Sequence, residues 1–371
     1  MSSNGTVKHL WLPDDPDLPD ENRIERFSGI LCPGFVNSHC HLELSHMKGV
    51  VPERTGLPAF ITDIVSKRHL NAEIKEEKIA EADAEMWQNG IQAVGDICNT
   101  TDTVEVKKSS RIKYHSFVEV FSFDPNKADE VLTEGIRVAR NYRLNDLVAT
   151  VVPHAPYSVS NRLFAGIKEQ QSTFPGPISI HNQETESEDQ MFRYGKGALV
   201  ETFKGFGVDF STYEPSGRSS LEFSLPQLPS NKNVVLVHNT MTPKAEMIRA
   251  NSERSDLYWC TCPTANAYIE NRLPDLPMWI EVGSKICVGT DSLASNHQLS
   301  ILEELKLIQS NFPEIDLNVL LKTATLNGAK ALELDGSLGS FETGKTPGVV
   351  LVKNLDENGR LSDKSAVQRI I

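Results

Sequence analysis

The run NSHCHLELSH, beginning at Asn37, sets His39 and His41 two residues apart at the end of the apolar stretch GILCPGFV. In extended backbone alternate side chains share a face, so both imidazoles can point one way while Cys40, expected to be a small buried filler, points the other. Two imidazoles at that spacing can hold one metal ion. A third histidine and a carboxylate from elsewhere would complete a site with room for water, the open geometry of catalytic zinc. Neutral imidazole and carboxylate suit Zn2+ or Fe2+. The chain offers such groups at comparable places: His154, His181 and His238 each follow an apolar run, and Asp291 ends another. A lone histidine after a strand is more often a capping or core-edge hydrogen-bonder than a ligand. Five of the ten histidines and an aspartate at equivalent positions are not explained that way. Glu184, in HNQETESE, lies three residues beyond His181. Where a strand turns into a helix start, that offset can bring it to the same cavity, and a carboxyl group beside activated water can take a proton and pass it on. Glu186, Glu188 and Asp189 read instead as a solvated helix start favoured by the helix dipole.

Eight short apolar runs must position these residues: GILCPGFVNSHCH, IQAVGDICN, YHSFVEVFSF, LVATVVPHAPYS, PISIHNQE, NVVLVHNT, LYWCTCPTAN and KICVGTDS. Most are followed by a helical pattern such as AEIKEEKIAEADAEMWQNG or ADEVLTEGIRVARNYRL. Strands buried on both faces read as continuous apolar runs rather than as alternation. Eight βα units are what a (β/α)8 TIM-type barrel needs, and in such barrels chemistry sits at the C-terminal strand ends. The expected fold class is therefore α/β, with a doubly wound open sheet as the alternative. The barrel is expected over residues 33–344. Residues 1–32 and 345–371, with TVKHLWL at one end and VVLV at the other, are expected to build a small β subdomain from both chain termini.

The chain has 371 residues, 39% of them hydrophobic and 23% charged, which suits one large α/β domain with a small appendage or two ordinary domains. A net charge of −13 argues against binding a nucleic-acid backbone. The six cysteines lack the CxxC spacing of a structural zinc site, and disulfides are not expected in a core of this size. MSSNGTVKHLWL has no basic-then-apolar leader pattern, and no window reaches the ~18 apolar residues of a membrane span, so the expected setting is the cytoplasm.

With these residues assembled, the chain resembles the amidohydrolase superfamily, and more narrowly its cytosine deaminase, chlorohydrolase and S-adenosylhomocysteine deaminase branch. The stretches that carry the resemblance are PGFVNSHCHLE, VPHAPYSVS, HNQETE, VLVHN, CPTANAYIENRLPDLP, GTDSLASN and ATLNGAKALELDGSLGSFETGK, in the expected order. The resemblance implies one divalent metal ion, Zn2+ expected and Fe2+ the alternative, held by His39, His41, His181 and Asp291. It implies that His238 orients and polarises the attacking water, that Asp291 also accepts its proton, and that Glu184 protonates a ring nitrogen of the substrate. His154, Glu184 and Ser295 match substrate-binding positions. The binuclear branches carry a bridging lysine on the fourth strand, and LVATVVPHAPYS has none, so one metal is expected.

The implied activity is metal-dependent hydrolysis of non-peptide carbon–nitrogen bonds, deaminating an amino-substituted N-heterocycle or nucleoside-like small molecule. Chlorohydrolase or cyclic-amide hydrolase action by the same site is the alternative. A non-catalytic scaffold of the same fold would lack ligands, and all are present. No nucleic acid or membrane is expected as partner, and a homodimer is the assembly to test. Thr261-Cys262-Pro263 stands where relatives often have His-Cys-Pro, at the expected pocket rim, and TPGVV follows the final Gly-Lys. HLELS is similar to bacterial aminodeoxyfutalosine deaminases, which makes LELSH a candidate substrate-facing segment and His46 a bystander or loop contact. Phe60, in LPAFITDI, lies where relatives place substrate-facing lid residues; its plainer reading is helix core.

Overall fold

The computed structural model describes the whole chain except Ser3, Pro13 and Thr212. Runs such as VVLVH and LYWCT leave no polar face for solvent, and each becomes a strand buried from end to end. After a short β1 (Ile30–Cys32), eight strands follow from the eight apolar runs. They are β2 (Phe35–Cys40), β3 (Ile91–Cys98), β4 (Lys113–Val120), β5 (Val148–Pro153), β6 (Ile178–Asn182), β7 (Val234–His238), β8 (Leu257–Thr261) and β9 (Ile286–Val288). All eight pair in parallel, as β2-β3-β4-β5 and β6-β7-β8-β9. Helices such as Lys75–Gln88 and Ala128–Leu144 connect them, and the second buries Val138, Ala139 and Tyr142 at helical spacing.

The two half-sheets meet at two seams, which makes the arrangement a barrel rather than an open sheet. At one, the His181 N–H donates to the His154 carbonyl at 2.9 Å. At the other, the N–H groups of Thr290 and Asp291 donate to the His39 carbonyl at 3.0 and 3.1 Å, and Cys40 bridges in parallel to Asp291. Both seams therefore run through residues singled out by their chemistry. Gly289 is required at the second, because a Cβ there would lie 2.7 Å from the His39 carbonyl oxygen and 2.8 Å from its Cβ.

Apart from the barrel, β1 pairs antiparallel with β10 (Val350–Lys353), which pairs with β11 (Ala366–Arg369), so both ends of the chain contribute to one small sheet. Val7 exchanges backbone hydrogen bonds with Gly344 and Lys345, tying the N-terminal segment alongside. All six cysteines are free and buried. Among the described residues no helix is long and apolar enough to cross a membrane.

Candidate active site

His39 is in β2, His41 is the first residue beyond it, His181 is in β6 and Asp291 follows β9. A register shift between Asn37 and Cys40 re-aims the end of β2. The structure brings the four side chains together. His41 Nε2 lies 3.1 Å from His39 Nε2 and 3.3 Å from His181 Nε2, and Asp291 Oδ1 lies 3.5 Å from His39 Nε2 and 3.3 Å from His41 Nε2. A tetrahedral ion with bonds of about 2.0–2.1 Å spaces its ligand atoms roughly 3.3–3.4 Å apart.

Protons do not account for the cluster equally well. His181 Nδ1 donates to the His154 carbonyl at 2.8 Å, which leaves its Nε2 a bare lone pair. Burial pushes His39 and His181 down to about 4 and His41 to about 3, with the Asp291 charge opposing it, so all three rings are neutral at pH 7. The donor set thus fits one divalent ion.

His238, at the end of β7, completes a group with His39 and His181. Its Nδ1 accepts from the Asn266 amide at 3.3 Å, placing the ring proton on Nε2, the atom 3.7 Å from Glu184 Oε1. A nitrogen that carries a proton is a donor rather than a ligand. His238 and Asp291 also hold left-handed backbone, at φ 72° and 56°, with Asn239 and Gln183 at 52° and 45°. Non-glycine residues there cost of order 1–3 kcal/mol each and gather where geometry serves function. Neighbouring bonds fix them: the Asn239 N–H donates to Asn182 O at 2.9 Å, and the Asn182 amide donates to Asn239 Oδ1 at 2.9 Å.

Glu184 is buried and lines the same cavity of about 350 Å³ as His41, His154, His181, His238 and Asp291. Burial, and then the Asp291 charge, push its carboxyl well above the usual range. Burial also raises Asp291, but the His39 hydrogen bond and the positive charge that the neighbouring imidazoles carry when protonated outweigh it and hold that carboxyl well below its usual range. Glu188, read from sequence as solvated, is fully buried instead. Its carboxylate accepts from the Gln183 and Glu184 N–H groups at 3.1 Å each, and so fixes the peptide that carries Glu184.

His154 lines the cavity with Nδ1 2.7 Å from Ser158 Oγ. Ser295 is fully buried and donates to Asp291 Oδ2 at 2.5 Å. Phe60 lines the mouth with Ile61, Ile64 and Phe203. Thr261 does not reach a rim: it is fully buried, and its carbonyl accepts from Gly289 N at 2.9 Å. LELSH is mostly scaffolding. The Leu42 N–H donates to Asp96 at 2.8 Å, Glu43 accepts from Asn99 N and Thr100 N, and His46 Nε2 donates to the Arg68 carbonyl at 3.0 Å, while Leu44 lines the cavity.

Glu119, near the end of β4, escaped the reading of the sequence. It lines the cavity and forms a group with His154 and His181. Its signal was a carboxylate in the otherwise apolar end of YHSFVEVFSF.

Among curated proteins, the chain is 25% identical over 325 residues to adenosine deaminase from Helicobacter pylori, covering 86% of this chain and 77% of that one. It is 26% identical over 319 residues to aminodeoxyfutalosine deaminase from Deinococcus radiodurans, covering 83% and 74%. The crystal structure of Helicobacter pylori aminofutalosine deaminase in complex with methylthio-coformycin matches with a TM-score of 0.77 at 23% identity, over 90% of this chain and 80% of that one. Atrazine chlorohydrolase TrzN from Arthrobacter aurescens, crystallised with zinc, matches with a TM-score of 0.69 at 17% identity, over 90% and 78%. At those identities the two structures speak for the fold. The sequence profile of the amidohydrolase family matches residues 30–368, from β1 into β11, and the chain belongs to that family.

Proposed function

We propose that this protein is a metal-dependent aminohydrolase that releases ammonia from an amino-substituted N-heterocycle or a nucleoside built on one. The observation that carries the reading is the cluster of His39, His41, His181 and Asp291, with Nε2 and Oδ1 contacts of 3.1–3.5 Å, beside the buried Glu184 carboxyl in one cavity. Burial favours the proton on Glu184 and its partners favour the loss of the proton from Asp291, the division expected of an acid and a base.

His39, His41, His181 and Asp291 would hold the ion, with Zn2+ as the first candidate. When bound, it supplies Lewis acidity and lowers the pKa of water. Glu184, protonated at neutral pH, gives its proton to the ring nitrogen next to the amino-bearing carbon. Asp291, ionised and aligned by the Ser295 hydroxyl, accepts the proton of the attacking water and returns it to the amino group, whose bond to carbon breaks as ammonia leaves. His238 donates from Nε2, oriented by Asn266, and positions that water. The apolar mouth around Phe60, Ile61, Ile64 and Phe203 takes the substituent and excludes solvent. In this reading Ser295 serves the substrate through Asp291, and residues 1–32 with 345–371 form the small subdomain around the β1-β10-β11 sheet.

Support also comes from the deaminase names borne by relatives at 25–26% identity. The test is an ammonia-release screen over aminated purines, pyrimidines, pterins and their nucleosides with zinc-loaded protein. Turnover of a purine nucleoside is expected. Silence across the panel, with chloride release from a chlorinated triazine, would replace deamination by the chlorohydrolase reading.

A further inference from the structure

Glu119 is 7% exposed and faces the substrate cavity, yet half of its carboxylate has no partner. Oε1 accepts from Asn99 Nδ2 at 3.1 Å, and the same amide donates to the Glu119 carbonyl at 3.2 Å. Oε2 is buried and, among the described residues, accepts no hydrogen bond. The nearest imidazole nitrogen, His181 Nδ1, lies 4.0 Å away, beyond hydrogen-bond range, and its proton already goes to the His154 carbonyl. A buried acceptor left open is unfavourable, so a protein that keeps one in a cavity gains by filling it with a ligand.

Its place says what it meets. His181 presents Nε2 to the ligand cluster and Nδ1 toward Glu119, so the free oxygen stands one imidazole's width from the reacting centre, beside it rather than at it. Glu184 lies against His238, 3.7 Å from its Nε2, and lines the same cavity as Glu119. A molecule that places its amino-bearing carbon at Glu184 and the cluster therefore shares that cavity with the free oxygen of Glu119.

Resting on the aminohydrolase reading, we propose that Glu119, held by Asn99, is a specificity-determining residue that accepts a hydrogen bond from an O–H or N–H group of the substrate close to its reacting ring. In its ionised form Glu119 accepts and does not donate, so that form rejects a substrate offering only acceptors or only hydrocarbon there. The two sources of the donor are a hydroxyl of the substituent and an N–H of the heterocycle.

The experiment compares kcat/KM for ammonia release by zinc-loaded wild type and Glu119→Ala. One arm uses adenosine, the two adenosines lacking one ribose hydroxyl each, and an adenine whose sugar is replaced by an ethyl group. The other compares adenosine with the purine riboside that carries a second exocyclic amino group. Wild type is expected to favour the donor-bearing member of one arm by roughly 10- to 100-fold. Glu119→Ala should bring that ratio to within about twofold, chiefly by lowering kcat/KM for the donor-bearing substrate, with zinc per chain at the wild-type level. Glu119→Gln, which keeps the shape and a neutral acceptor, should narrow the ratio and stands in where the alanine variant does not fold. Equal ratios in wild type and variants overturn the proposal. So does uniform loss of turnover with loss of zinc, which would make Glu119 a support for His181. Should wild type release no ammonia at all, the aminohydrolase reading fails separately. The subsite is then read from the melting-temperature shifts the same compounds induce: a shift that needs the donor group and Glu119 upholds it, and none overturns it.

Discussion

Glu184 and Asp291 line one cavity, yet one is driven to hold its proton and the other to lose it. The difference lies in their partners. Asp291 faces three imidazoles and the Ser295 hydroxyl, whereas Glu184 has burial and a like charge against it. Glu184→Gln removes the transferable proton with almost no change of shape. It is expected to lower kcat by about 10²–10⁴ while metal content stays at wild-type level; full turnover would remove Glu184 from the proton path. A second residue tests burial itself. Burial, helped by the Lys107 and Arg143 charges, pushes His115 down to about 3, while its ring faces Thr150 Oγ1. The unfolded chain protonates a histidine near pH 6.5, so below that pH the unfolded state holds a proton the folded state lacks, and stability falls as pH falls. From pH 7 to pH 5 this one ring costs about 2 kcal/mol. In urea unfolding, the deficit of His115→Gln relative to wild type should shrink by that amount over the same interval. A constant deficit would mean the ring is not held neutral.

At the scale of elements, the end of β2 is set by what lies behind it. Asp96 in β3 accepts from the Leu42 N–H, one residue after His41, and its other oxygen meets Lys107 Nζ at 2.6 Å with both side chains fully buried. Lys107 also donates to Ser116 Oγ at 2.9 Å in β4, so one ammonium ties a helix to two strands. Removing one partner of a buried pair strands the other charge, which costs about 3–5 kcal/mol. Lys107→Met is expected to show that loss in urea unfolding and to bind zinc more weakly, through the freed Leu42 peptide; unchanged zinc affinity would uncouple the pair from the site. Nothing in IQAVGDICN announces this role, since Asp96 and Lys107 meet only through the fold. The eight strands were legible because burial on both faces forces apolar runs. His39, His41, His181, His238 and Asp291 were legible because they break those runs at their ends. Glu119 also breaks its run, but a lone carboxylate there has a plain solvated reading. Glu188 looked solvated because a helix start tolerates acids, and its burial follows from Gln183 and Glu184 turning their N–H groups toward it. The roles of LELSH and Thr261 depend on distant partners, which local pattern does not encode.

In the whole molecule, the ligand cluster and the closure of the barrel are the same place. His39 and His41 belong to the first half-sheet, His181 to the second, and Asp291 follows the last strand of the second. The seams are made by the backbones of these residues: His181 N–H to His154, and Thr290 and Asp291 N–H to His39. An ion held by the four side chains would therefore clamp both seams. A ligand that binds only the folded state stabilises it by about 4 kcal/mol at a thousandfold excess over its dissociation constant. Stripping the metal with a chelator should lower the melting temperature, and adding zinc back should restore it. The loss should also be local. Amide hydrogens of His181, Thr290 and Asp291 should exchange much faster in stripped protein, while those such as Val118 and Val235 should change little, because the β3-β4-β5 and β7-β8 ladders hold none of the four ligands. Acceleration spread evenly over all strands would mean that the metal stabilises the fold without clamping it. Unchanged seam amides would mean that the β-bridges and the packing beneath them close the barrel unaided, leaving the ion to chemistry alone.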